Sequence, residues 1–196
     1  MELFTGAAAA LILGSMSYGV YVFTKKEKTV VLEPNKIKYV FSKSSKSPKE
    51  KLIEVIDKSK ESLDVAIFTF TEKEIAAHIC KATKRGVNVR VITDRNQTRD
   101  IPRQKENVEK LMEAGIPVKV NDHNGLMHLK ITISDKRLTT SGSYNFTYTA
   151  EEKNDEVMLV IKDKEMAEEW TKKFDSMWND SIQFSNYLAQ PEEKSA

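Results

Sequence analysis

The stretch "MHLKITISDKRLTTSGSYNFT", Met127 to Thr147, decides how this chain is read. It alternates like a half-buried strand, in which side chains two apart project from one face about 6.5–7 Å from each other. His128, Lys130, Thr132 and Ser134 therefore share one face, and Met127, Leu129, Ile131 and Ile133 the other. The apolar set packs into a core, which leaves an imidazole and an ammonium side by side. A second strand supplies Ser141 and Ser143, with Asn145 in the bend beyond it. Taken singly, His128 reads as structural, Lys130 as a solvated surface residue and Asn145 as a turn former. Together they form a constellation with fixed spacing, His128-x-Lys130-x4-Asp135 and then Gly142-Ser143-x-Asn145-x-Thr147. Such a set suits an anionic phosphodiester. The imidazole serves as nucleophile or proton carrier, while Lys130, Ser143 and Asn145 hold the non-bridging oxygens as charge redistributes.

Outward from this stretch, strands alternate with helices. "IKYVFS" (37–42), "LDVAIFTF" (63–70), "VNVRVITD" (87–94), "IPVKVN" (116–121) and "DEVMLVI" (155–161) read as strands. The second is apolar on both faces, as expected in the middle of a covered sheet. Ser47, Pro48 and Glu50 form a capping box for a helix that turns Leu52, Ile53 and Ile56 inward. Thr71 and Glu74 form another, ahead of a helix carrying Ile75, Ile79 and Ala82 and stopping at Gly86. Residues 95–103 read as a polar loop with Arg95, Arg99 and Arg103, before the helix "QKENVEKLMEAG". Met166, Trp170, Phe174 and Met177 line one face of a last long helix. This order predicts an α/β fold, a mixed β-sheet flanked by helices on both faces.

At 196 residues and a net charge of +2, the chain is an ordinary globular protein with one main domain. So small a charge permits an anionic partner without arguing for one. The single cysteine, Cys80, excludes an internal disulfide and a multi-cysteine zinc site, and its place in an apolar stripe makes it a core residue. Leu3 to Phe23 is an uncharged run of roughly the ~20 residues that cross a bilayer as a helix. Lys25, Lys26 and Lys28 follow it and would keep the rest of the chain cytoplasmic. A cleaved signal peptide, with export of the mature protein, is the rival reading, but the start "ME" lacks a basic n-region. The expected organisation is a membrane anchor over 1–24, a tether over 25–36, a catalytic domain over 37–181 and a tail over 182–196.

The constellation resembles the phospholipase D superfamily, whose signature reads His-x-Lys-x4-Asp and then Gly-Ser-x-Asn; "HLKITISD" and "GSYNFT" match it at every position. The resemblance runs from about Ile37 to Trp178. It is closest to the small single-motif members, the bacterial Nuc-type endonucleases and the mitochondrial Zucchini-type, cardiolipin hydrolase-like proteins. It implies a phosphohistidine intermediate on His128, phosphate binding by Lys130 and Asn145, and a downstream acid, Glu156, that orients His128. It implies no metal and no cofactor. Asp135 and Gly142 read as structural members of the motif. One cysteine cannot build the Cys/His zinc insertion of many Zucchini-type proteins, which weakens transfer of their RNA role.

The leading expectation is an endonuclease that cuts DNA or RNA, with Arg95, Arg99, Arg103 and Lys105 as a basic rim. The alternative substrate is an anionic phospholipid such as cardiolipin, and the non-enzymatic alternative is a tethered binding module. His78 and His123 read as structural, Asp122 and His123 lying in a turn at the site rim. Because the chemistry needs a second group to protonate the leaving oxygen and the motif occurs once, a homodimer with a shared pocket is expected.

Overall fold

The computed structural model describes residues 33–188. The apolar run Leu3–Phe23 expected to cross a membrane lies outside them, as do the last residues of the expected tail. Eight strands form one mixed sheet in the order β1-β7-β6-β5-β2-β3-β4-β8. They are β1 (Ile37–Phe41), β2 (Ser62–Ile67), β3 (Asn88–Thr93), β4 (Val118–Asn121), β5 (Lys130–Ser134), β6 (Leu138–Gly142), β7 (Val157–Ile161) and β8 (Phe184–Asn186). Strands β2, β3 and β4 run parallel, and every other pairing is antiparallel.

The parallel strands are joined by helical crossovers. Helix α1 (Pro48–Lys58) leads into β2, α2 (Lys73–Lys84) links β2 to β3, and α3 (Arg95–Asp100) with α4 (Pro102–Glu113) links β3 to β4. Helix α5 (Tyr148–Glu152) follows β6, and α6 (Lys164–Asn179) follows β7. Leu52 and Ile56 of α1, Ile75 and Ile79 of α2, and Val108 and Leu111 of α4 pack on Leu63, Val65, Ile67, Val89 and Val91. Among the described residues the helix on the opposite face is α6, whose Ala167, Phe174 and Met177 pack on Ala66, Ile92 and Ile133. The covered, mixed sheet expected from the sequence is thus present, with α1, α2 and α4 on one face and α6 on the other.

Local signals explain most element starts. Ser47 caps α1, its Oγ accepting from the Glu50 N–H at 3.0 Å, with Pro48 at the first helical position. The cap expected at Thr71 is not formed: α2 begins after Glu72, without a side-chain cap bond. Thr71 and Glu72 instead donate their N–H groups to the Phe146 carbonyl, which ties that turn to the Asn145 loop. Residues 95–103 are two helices meeting at the extended Ile101 rather than a loop. Asp94, the last residue of the expected strand, caps α3 by accepting from the Gln97 N–H at 3.0 Å, and Pro102 opens α4. The sheet also continues past residue 181, where a tail was expected, because Phe184 is buried beneath α6 and places β8 beside β4.

A half-buried ion-pair network centred on Arg90 fastens α6 to the sheet. Arg90 on β3 donates two hydrogen bonds to Asp64 on β2, at 2.7 and 2.8 Å, and pairs with Asp175 of α6 at 2.8 Å. Its guanidinium also lies over the Phe174 and Trp178 rings, and hydrogen bonding to Asp64 raises its pKa. Asp64→Ala would leave that half-buried cation short of its bidentate partner. It is expected to destabilise the domain by about 3–5 kcal/mol in denaturant titration, whereas a cost under about 1 kcal/mol would show that the pair contributes nothing net.

Candidate active site

The motif residues gather where β5 begins and β6 ends. His128 precedes β5 in extended backbone, and Lys130 is the first residue of the strand. The expected division of faces holds only in part. Met127 and Ile133 are buried, but Leu129 is 39% exposed, and Thr132 and Ser134 are buried beneath the three-helix layer. Both sides of a central strand are covered, so only its leading end is open to a substrate. Leu126, Met127, His128 and Leu129 line a groove of about 510 Å³, with Lys173, Met177 and Asp180 of the α6 end and Gln183 and Phe184 opposite.

Lys130 folds its ammonium back to donate to the His128 carbonyl at 2.9 Å. Partial burial pulls its pKa below the ordinary lysine value, and the negative charge of Glu156 works the other way. That acid is buried, and its Oε1 accepts from Asn154 at 3.0 Å. Among the described residues no hydrogen bond joins Glu156 to the His128 ring. Within one chain Glu156 therefore acts on the charge of Lys130, while the orienting contact implied by the family resemblance is not formed.

Asn145 is held by the turn after β2, its Oδ1 accepting from the Thr69 N–H at 3.2 Å. That leaves the amide N–H₂ as its donor end. Ser143 is exposed, and its Oγ accepts from the Val157 N–H at 3.2 Å. The intervening positions of the motif are anchors that sequence reading passed over. Tyr144 and Phe146 are buried, and the Tyr144 hydroxyl donates to Glu151 at 2.7 Å. Burial and that carboxylate push the phenol far above its ordinary pKa. Thr147 caps α5, its Oγ1 accepting from the Ala150 N–H at 3.0 Å. Asp135 accepts from the N–H groups of Lys60, Glu61 and Ser62 at 2.7–3.1 Å.

The arginines stand apart from this group. Arg95 and Arg99 line a separate cleft of about 300 Å³ with Lys105, Tyr187 and Leu188, which shares no lining residue with the His128 groove. Arg95 pairs with Asp122 at 3.3 Å and Arg99 with Asp100 at 2.7 Å, while Arg103 is exposed. His123 lines the His128 groove and accepts from the Gly125 N–H at 3.1 Å. His78 pairs with Asp57 on the helical surface at 2.7 Å, and Cys80 is buried in the core. Among the described residues no cluster of three His, Cys, Asp or Glu side chains is placed to hold a metal.

Residues 52–178 match the family described as "Cardiolipin synthase, PLD-like domain". The chain is 30% identical over 129 residues to the mitochondrial cardiolipin hydrolase of Chlamydomonas reinhardtii, covering 66% of this chain and 56% of that one. It is 32% identical over 115 residues to a phospholipase D of Rickettsia conorii, covering 59% and 56%. The chain thus spans about half the length of the curated relatives it matches. Among solved structures, Nuc of Salmonella typhimurium, described as a phospholipase D family member, superposes with a TM-score of 0.71 at 25% identity, covering 78% of this chain and 98% of that one. NucT from Helicobacter pylori shares the fold, with a TM-score of 0.57 at 23% identity. Signature, sheet and matched segment meet on the stretch from His128 to Glu156, and on that ground the chain belongs to the phospholipase D superfamily.

Proposed function

We propose that the chain is a metal-independent phosphodiesterase that cleaves nucleic acid through a phosphohistidine on His128, working as a homodimer. The observation that carries the chemistry is the pairing of an exposed imidazole with a half-buried ammonium at the open end of a covered strand. In the first step a ring nitrogen of His128 attacks phosphorus and the bond to the leaving oxygen breaks. Lys130 and the Asn145 amide hold the non-bridging oxygens. The leaving oxygen takes a proton from the second histidine of the pair, which then deprotonates the water that hydrolyses the P–N bond.

With one motif per chain, the second histidine comes from His128 of a partner subunit. The edge strand β1, with Tyr39 and Phe41 65% and 55% exposed, supports an apolar surface on which such a partner could sit. Nucleic acid is favoured by the small size of the domain and by its coverage of nearly all of Nuc. The arginine cleft would track the backbone beyond the scissile phosphate. The apolar run Leu3–Phe23 and the lysines after it support attachment to a membrane, with the domain on the cytoplasmic side.

A phospholipid head group is the second reading. It is favoured by the exposed Leu126 and Leu129 flanking His128 and by relatives described as cardiolipin hydrolase and phospholipase D. Incubating the full chain with single-stranded DNA, RNA or cardiolipin vesicles in excess EDTA separates the two. Nucleic acid is expected to be cut with the vesicles spared. Vesicle hydrolysis alone would transfer the proposal to lipid. Loss of all cleavage in EDTA, restored by magnesium, would sink the covalent route.

A further inference from the structure

A residue outside the signature, Phe68, touches both His128 and Lys130. Phe68, just past the end of β2, places its ring centroid 4.5 Å from that of His128, with the planes inclined at 57°. The Lys130 ammonium lies 4.8 Å from the same ring centroid. We propose that Phe68 is the positioning residue of the site, its ring holding imidazole and ammonium at a fixed separation so that both address one phosphate. This rests on the phosphodiesterase reading above.

Three observations carry the assignment. First, the backbone of Phe68 is pinned on both sides. Its N–H donates to the carbonyl of Leu129, the residue between the two motif side chains, at 2.9 Å. Its own carbonyl accepts from the buried Gln104 at 3.2 Å. Gln104 also accepts from the Phe70 N–H at 2.8 Å, so the turn carrying the ring is held from the core. Second, among the described residues no hydrogen bond restrains the His128 ring, and the contact with Phe68 is the restraint the fold provides. Third, a lysine ammonium has three donor directions. One goes to the His128 carbonyl, and the aromatic face attracts the cation from a second side, leaving the remaining donor for an anion. Without the ring, the ammonium gains solvent-facing rotamers and the imidazole turns freely, so the near-attack geometry is populated less often.

Bis(p-nitrophenyl) phosphate, a diester with neither base nor lipid, reads the site independently of the natural substrate. For Phe68→Leu in the full chain, kcat is expected to fall about tenfold, with KM changed less than about threefold. Phe68→Tyr, which keeps the aromatic face, is expected to stay within about twofold of wild type. The His128 ring-proton resonances, identified by their loss in His128→Asn, should carry a ring-current displacement in the wild type. That displacement should persist in Phe68→Tyr and vanish in Phe68→Leu. Should Phe68→Leu fail to fold, Phe68→Met, flexible and similar in volume, takes its place. A Leu or Met variant within twofold of wild type, a Tyr variant equally impaired, a loss confined to KM, or an unmoved His128 resonance would each overturn the role. A wild type that shows the displacement yet cleaves no diester would fault the phosphodiesterase reading and leave the contact standing.

Discussion

Replacing His128 with asparagine is expected to lower turnover by about 10⁴-fold or more while leaving the melting temperature unchanged. The magnitude follows from removing the atom to which phosphorus bonds, a loss that binding contacts alone do not restore. The fold should be indifferent because the ring is exposed, precedes β5 and makes no hydrogen bond to the core among the described residues. Melting curves and single-turnover assays on the same preparation test both halves, and near-normal activity would remove His128 from the centre. Co-refolding equal amounts of wild type and variant extends the test to assembly. Random pairing leaves roughly a quarter of dimers with both histidines, so activity per total protein should drop to about that quarter. A residual near one half would mean that each chain works alone, and His123, in the same groove, would become the second proton-transfer group.

Gly142→Ala is expected to be nearly as damaging, by way of the fold. Gly142 closes β6 at φ +152° opposite Met158, and an added Cβ would overlap the Val157 carbonyl oxygen. No flexible side chain is there to yield; the obstacle is the neighbouring strand. Ser143 exchanges hydrogen bonds with Val157 at the same point, so separating the strands disturbs the approach to Asn145 and the segment bearing Glu156 together. A cost of about 3–5 kcal/mol is expected, lowering the melting temperature by roughly 10 °C or more. Gly115→Ala is the control, since Gly115 also has positive φ (+79°) but nothing within 4 Å of an added Cβ. It should cost only the conformational strain, roughly 1–2 kcal/mol. Equal losses in the two variants would show that conformation, not the close approach of β7, makes glycine necessary at 142.

Much of this was legible from spacing alone. The strands over 37–42, 63–70, 87–94 and 155–161 carry their own hydrophobic runs, and the Ser47-Pro48 start of α1 is a purely local signal. What escaped depended on partners distant in sequence. Helix α3 was hidden because Asp94 reads as a strand end until its carboxylate is seen to accept both the Gln97 and Met127 N–H groups. Strand β8 is three residues long and exists because β4 offers an edge and α6 a lid. Asp64 and Arg90 look like interruptions in apolar strands, since neither position reveals its partner. Within the site, His128, Lys130 and Asn145 follow from spacing, while Phe68 lies 60 residues upstream of His128 with no polar atom to mark it.

The four residues between Lys130 and Asp135 act as a ruler. Lys130 stands at the open end of β5, and Asp135, at φ +53° in the turn at the other end, gathers three consecutive N–H groups from the segment entering β2. Five strand steps separate them, a reach of about 16 Å. The interval therefore measures the length of β5 from its reactive rim to the turn behind it. One residue more or fewer would invert the facing of every side chain beyond it, so that either the ammonium or the turn carboxylate would lose its place. The count of four residues between Lys130 and Asp135 is thus a construction length.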